Sequence, residues 1–330
     1  MEKHILQWHI THKCNLRCIH CYQEDYKNDL SFNQIKKIFF DYLEYVKHNN
    51  FKSHINITGG EPFLHPDFFN IISLFEKNNI SFGILTNGTI LDEDLVLRLS
   101  LYKNLSFVQI SLDGTKKIHD EIRGKGNFEK AVNAIRLLNK YNIQSMVAFT
   151  AHKKNIHKLK SLIKFVKKEK VRVFWTDRLI PTNTCEDILS TEEFLKMTKL
   201  LQKESLKAEK NKNCVTEIRT NRALMFLGGT NCIYHCSAGI TLLTILANGD
   251  LLPCRRLPIV IGNTLEKSIT DLYNESELIK YLKNHEIPEE CKKCYKSEKC
   301  RGGLKCLSYA VTRKLSQKDI NCPITRFSEN

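Results

Sequence analysis

Three cysteines near the start of the chain, Cys14, Cys18 and Cys21, stand at C-x3-C-x2-C spacing on one short segment. Three thiolates so placed can hold three corners of an iron–sulfur cube and leave the fourth iron without a protein ligand. An open metal position is where a small molecule can be activated. A zinc site completed by His12 or His20 is the other reading, although structural zinc usually draws on two paired ligand sets. Beyond residue 230 come Cys232, Cys236 and Cys254, then Cys291, Cys294, Cys300, Cys306 and Cys322. Eight thiols suit two closed four-thiolate sites, iron–sulfur or zinc.

The chain holds 13 cysteines, an odd number that fits a disulfide framework poorly. Its opening, Met1-Glu2-Lys3-His4, reaches Cys14 with no room for a secretory segment, so reduced cytoplasmic thiols are expected. A second motif is Thr58-Gly59-Gly60-Glu61-Pro62. Consecutive glycines let a backbone approach a ligand closely, and a carboxylate beside them accepts from an ammonium. Taken alone, the same residues are an ordinary strand-ending turn. Asn87, Ser111 and Asp113 end later strand-like runs, where barrel-like α/β folds place their ligands. Arg123 is either a further ligand contact or a surface charge beside a helix.

The cysteine segment after a first strand, with Gly59–Pro62 one βα unit later, resembles the radical S-adenosylmethionine (SAM) superfamily. The resemblance implies a [4Fe-4S] cluster on Cys14, Cys18 and Cys21 whose open iron chelates SAM. It places SAM's amino group at Gly59, Gly60, Glu61 and Pro62, and further cofactor contacts at Asn87, Ser111, Asp113 and Arg123. One-electron reduction then cleaves SAM to a 5′-deoxyadenosyl radical, which takes hydrogen from a substrate.

The later cysteines, with Gly249, resemble the SPASM domain. That implies two auxiliary [4Fe-4S] clusters, one on Cys232, Cys236, Cys254 and Cys306, the other on Cys291, Cys294, Cys300 and Cys322. One spacing departs: Arg301-Gly302-Gly303-Leu304-Lys305 puts five residues before Cys306 where the family usually has three.

SPASM proteins mostly mature ribosomally made peptides, by crosslink, thioether, epimerisation or excision. The resemblance therefore implies a peptide maturase using SAM and three clusters, with a precursor peptide as substrate and a flavodoxin or ferredoxin-type electron donor. The chain starts only a few residues before its first strand, so a separate peptide-recognition protein is expected. The alternatives are tetrapyrrole modification, anaerobic sulfatase maturation, and a non-catalytic iron–sulfur electron-transfer protein. Sulfatase maturases usually place an aspartate after the cysteine matching Cys254; here Arg255 follows it. Arg255-Arg256 suits either an acidic substrate or a surface turn. The leftover Cys185 and Cys214 are either structural thiols or hydrogen-atom donors to a substrate radical.

The elements that must position these residues alternate. Strand-like runs at 5–11, 54–58, 81–86, 106–112, 144–150 and 171–176 are separated by helical patterns at 31–48, 66–78, 91–103, 127–141 and 155–169. This alternation predicts an α/β chain with a helix-covered parallel sheet. With the resemblance, the expectation becomes a partial (β/α)6 TIM-like barrel over 1–180. A linker with a bridging helix over 181–213 and a small cysteine-rich SPASM domain over 214–330 would follow. Ser31-x-x-Gln34 and Ser190-x-x-Glu193 read as capping boxes. The net charge of +15 spreads over lysine-rich helices without an aromatic-interleaved basic motif, so no nucleic-acid partner is expected. No apolar run approaches the roughly 20 residues of a membrane span.

Overall fold

The computed structural model describes residues 1–22, 29–182, 186–230, 233–284 and 286–324. Cys185 and Cys232 lie outside the described residues. In chain order the first elements are β1 (Lys3–His9), α1 (Phe32–His48), β2 (Lys52–Thr58), α2 (Phe68–Lys77), β3 (Ser81–Thr86), α3 (Glu93–Leu99) and β4 (Leu105–Ser111). Then come α4 (Lys116–Arg123), α5 (Asn127–Lys140), β5 (Ser145–Ala151), α6 (Leu159–Lys168), β6 (Val173–Arg178), α7 (Thr191–Lys210) and β7 (Glu217–Arg219). The remainder holds β8 (Leu242–Ile245), β9 (Asp250–Leu252), β10 (Gly262–Asn263), α8 (Ile269–Glu275), α9 (Glu277–Asn284), α10 (Ser297–Cys300) and α11 (Lys305–Thr312). The expected α/β class is what forms.

The chain divides into two compact units. The first comprises Met1–Ser111, Lys130–Ser145 and Ser237–Asn284; the second comprises Leu112–Glu129, Met146–Cys236 and His285–Asn330. In the first unit β1, β2, β3 and β4 pair in parallel. On the other side of β1 lies β8, also parallel, with Ile5 opposite Leu242 and Trp8 opposite Ile245. β9 and β10 extend that side with antiparallel pairing. Helix α1 begins where the capping box predicts: Ser31 Oγ accepts from the Gln34 amide, and Gln34 Oε1 accepts from the Ser31 amide at 2.9 Å. Its buried face is Ile35, Ile38, Phe39, Tyr42, Tyr45 and Val46, the helical spacing of a core-facing stripe. Phe39 and Trp8 both pack against Phe75 of α2, with ring centroids 5.4 and 6.3 Å apart.

In the second unit β5, β6 and β7 run parallel. The Ser190 capping box starts α7, whose Phe194, Met197 and Leu201 are buried. Helix α4 is not among the helical patterns that the sequence predicts. Only His119 and Ile122 of its eight residues are buried, too short a stripe to read as helical periodicity. Helices α8 to α11 are similarly short and were not expected. Among the described residues no helix is long and apolar enough to cross a membrane.

Candidate cluster and cofactor site

The cysteine loop leaves β1 through Ile10, whose amide still reaches Thr58 O at 3.0 Å. Asp29 holds the start of the loop. Its carboxylate accepts from Thr11 Oγ1 at 2.7 Å and from the His12 amide at 3.1 Å, and lies 2.5 Å from His12 Nδ1. His12 is therefore tied to Asp29. Arg17 Nη1 donates to Cys14 O, and the Cys21 amide donates to Cys18 O at 3.1 Å, which folds the loop back on itself.

The glycine pair supports this loop from below. The Gly60 and Glu61 amides donate to Thr11 O and Lys13 O, each at 2.8 Å. A Cβ on Gly59 would stand 2.3 Å from Thr11 O, and one on Gly60 would stand 2.3 Å from Lys13 O. The close approach expected at these glycines is thus an approach to the backbone of the cysteine loop. Pro62 is buried and opens a 3-10 turn over Pro62–Leu64. Glu61 is fully buried; its carboxylate accepts from Thr86 Oγ1 at 2.7 Å and from the Asn87 amide at 2.9 Å. Asn87 in turn donates to Asn15 Oδ1 at 2.9 Å, and its Nδ2 is 4.0 Å from Cys14 Sγ. Glu61 and Asn87 so connect the end of β3 to the cysteine loop.

The thiols suit a cluster. Cys14, Cys18 and Cys21 form no disulfide and are half-buried, half-buried and exposed in turn. The Leu16 amide already donates to Cys14 Sγ at 3.4 Å. Burial pushes the Cys14 thiol upward, and the neighbouring charges of Glu61 and Cys21 add to that. Among the described residues no three His, Cys, Asp or Glu side chains stand close enough to hold a single metal ion. A four-iron cube spreads its ligands over four irons instead.

Ser111 is half-buried at the end of β4 in the first unit. Asp113 and Arg123 lie in the second unit and pair with each other, Arg123 Nε donating to Asp113 Oδ2 at 2.5 Å. Asp113 also accepts from the Thr150 amide at 2.9 Å and is fully buried. Arg123 is therefore neither a lone surface charge nor separate from Asp113.

Cys291, Cys294, Cys300 and Cys322 line one pocket of the second unit. Burial raises the Cys300 thiol to about 12 and the Cys291 thiol to about 11, and the charges of their fellow cysteines act in the same direction. Four thiols lining one pocket could supply the donor set of a closed cube. Of the other residues expected as auxiliary ligands, Cys236 and Cys306 belong to the second unit and Cys254 to the first. Cys214 is half-buried with Sγ 3.8 Å from Thr216 O.

The five-residue spacer before Cys306 has a definite form. Arg301, Gly302 and Gly303 all take left-handed conformations, φ 52°, 81° and 82°. Asp319 holds this turn: its amide donates to Gly302 O at 2.8 Å and its Oδ2 accepts from the Leu304 amide at 3.0 Å. The same carboxylate takes a two-pronged ion pair from Arg178, at 2.7 and 2.6 Å, while Asp319 O accepts from the Cys322 amide. Arg178 is 4% exposed and Asp319 is fully buried.

Sequence reasoning missed Asp29, Arg178 and Asp319, whose only signal was a charge beside a motif. It also misplaced Arg255. That residue is 5% exposed; its Nη2 donates to Tyr22 O at 2.6 Å, and its guanidinium lies 4.6 Å from the Tyr22 ring centroid. It is a buried brace on the end of the cysteine loop, not a surface turn. Burial beside it, with Arg255's charge adding, lowers the His9 imidazole to about 3.

Residues 8–166 match the Radical SAM superfamily, and residues 236–295 match the SPASM iron–sulfur cluster-binding domain. Among curated proteins the chain is 28% identical over 302 residues to the antilisterial bacteriocin subtilosin biosynthesis protein AlbA of Bacillus subtilis, covering 88% of the chain. It is 28% identical over 175 residues to the Fe-coproporphyrin III synthase of Methanosarcina barkeri, covering 52% of the chain. The chain spans 63% of the length of the first relative and 42% of the second. In fold it is similar to Streptococcus suis SuiB bound to S-adenosylmethionine, with a TM-score of 0.79 at 18% identity over 98% of this chain and 77% of that one. The cysteine loop, the glycine turn beneath it and the two matched regions agree: the chain carries a radical SAM domain over residues 8–166 and a SPASM domain over residues 236–295.

Proposed function

We propose that this chain is a radical SAM peptide maturase. The observation that carries the reading is the docking of the Gly59-Gly60-Glu61 backbone onto the three-cysteine loop. When bound there, a [4Fe-4S] cluster with SAM supplies a 5′-deoxyadenosyl radical that abstracts hydrogen from the substrate. The protein's part is to orient. Asp29 and Arg255 brace the two ends of the loop, and Glu61 and Asn87 fix its middle against β3. Gly59 through Pro62, Asn87, Ser111, Asp113 and Arg123 remain the proposed SAM contacts.

Two auxiliary clusters, on Cys232, Cys236, Cys254 and Cys306 and on Cys291, Cys294, Cys300 and Cys322, complete the proposed cofactor set. A ribosomally made peptide is favoured as substrate because the same fold occurs in SuiB bound to the precursor peptide SuiA. A tetrapyrrole is the second reading, favoured by the likeness to an Fe-coproporphyrin III synthase. Position 255 offers no carboxylate base for sulfatase maturation, since its arginine is committed to Tyr22.

Anaerobically reconstituted protein should carry about twelve irons per chain. Reduced with dithionite, it should convert SAM to 5′-deoxyadenosine. Iron-replete protein that forms none sinks the enzyme reading. Turnover coupled to coproporphyrin but not to a precursor peptide encoded beside the gene replaces the peptide with the tetrapyrrole.

A further inference from the structure

Lysine is among the side chains least often buried without a partner, yet Lys305 is 7% exposed. It opens α11 directly after the Arg301–Leu304 spacer whose length sets this chain apart. The left-handed turn at Arg301, Gly302 and Gly303 makes room for it. A Cβ on Gly302 would lie 2.6 Å from the Pro288 ring and 3.9 Å from Lys305 Nζ. The ammonium donates a long hydrogen bond, 3.5 Å, to Glu286 O. Burial works against its charge, and Cys236, Cys291, Glu286 and Cys300 work for it. A second cation approaches the same thiols. Lys318 lines the pocket formed by Cys291, Cys294, Cys300 and Cys322, donates to Ile324 O at 3.0 Å, and acts on both Cys291 and Cys322.

We propose that Lys305 and Lys318 are a pair of cations that raise the reduction potential of the cluster held by Cys291, Cys294, Cys300 and Cys322. The inference rests on the auxiliary-cluster reading above. A cube on four thiolates is an anion, and one-electron reduction adds a further negative charge. A fixed cation nearby stabilises the more negative state more, and the effect grows as solvent is excluded. Lys305 is the more buried of the two, so water screens it less than the half-buried Lys318. Neither lysine supplies a ligand, so both act through the surroundings of the cluster. The spacer sets Lys305 beside Gly302, which lines the same pocket as the four thiols.

The test compares wild type, Lys305→Met and Lys318→Met as reconstituted full-length protein, by iron analysis and by redox titration followed by electron paramagnetic resonance. Full iron with one auxiliary midpoint moved to more negative potential, further in Lys305→Met than in Lys318→Met, is the expected result. A merely structural lysine would change iron content or stability and leave the midpoint where it was. Full iron in both variants with unmoved midpoints overturns the proposal. If Lys305→Met fails to load iron, Lys318→Met decides: an unmoved midpoint overturns the pair, and a negative shift supports it. Wild type that never exceeds about four irons overturns the cluster reading itself, a failure distinct from an unmoved midpoint.

Discussion

The two cysteine sites are held in opposite ways. The first is a loop laid on backbone: glycine amides below it, Asn87 at its side, and one of its three thiols exposed. The second is a pocket closed by charge. A fully buried aspartate and a nearly buried arginine tie together β6, the left-handed turn and the segment leading to Cys322. Cys291 and Cys300 there are buried. The difference follows from what each must admit. A site that takes a small molecule must leave its thiols reachable, so its rigidity comes from hydrogen bonds beneath them. A closed cube admits nothing, so its walls can be buried and bound by an ion pair that water does not screen.

Substitutions separate the two designs. Asp319→Ala should be the most damaging, costing about 3–5 kcal/mol, because it strands Arg178 as a buried unpaired charge. Denaturant melts should show it, and Arg178→Met with Asp319→Leu together should cost less than Asp319→Ala alone. If Asp319→Ala costs no more than a surface change, the second site is not held by charge. Next comes Gly60→Ala, expected to cost about 1–3 kcal/mol by forcing Cβ into the Lys13 and His12 carbonyls. It should lower iron loading at the first site and leave the second site's share intact, read by iron analysis in protein lacking Cys14.

A smaller loss is expected for Glu61→Gln, about 1 kcal/mol, since a charge-assisted acceptor for Thr86 and Asn87 becomes neutral. Equal tolerance of Glu61→Ala would show that the carboxylate does not organise the loop. The mildest test changes no residue. In metal-free protein, alkylation mapped by mass spectrometry should label Cys21 before Cys291 and Cys300, whose thiols burial holds up near 11 and 12. Simultaneous labelling would erase the contrast.

A pH effect belongs to the first unit. His9 carries its proton far less readily in the folded chain, about 3 against the usual 6.5. The unfolded chain therefore binds the proton first as acid is added. His9's contribution to stability is present above 6.5 and drains away as pH falls toward 3. His9→Gln should flatten that part of the profile.

The ligand chemistry was legible because its spacing is local: C-x3-C-x2-C, Gly59–Pro62 and the alternation of strands and helices each lie within a few dozen residues. The capping boxes at Ser31 and Ser190 were legible for the same reason. The braces were not. Arg178 meets Asp319 across 141 residues and Arg255 meets Tyr22 across 233, and nothing in their neighbours announces the partner. The glycines were noticed for the right property, tolerance of close approach, but what approaches is chain backbone. Helix α4 was hidden by polar residues that looked functional, and Asp113 and Arg123 proved to be partners of one another.

The pairing of β1 with β8 has a consequence for synthesis. One edge of β1 is satisfied by β2 as soon as residue 58 emerges, while the other waits for Leu242–Ile245. Throughout that interval the nascent chain carries an open strand edge rich in apolar residues, the kind of template that invites pairing with a neighbour. Tyr22, at the exit of the cysteine loop, also waits for Arg255. A ribosome that stalls before residue 240 would therefore release a chain with all three loop cysteines present, an unpaired strand beside them and no brace to finish the loop.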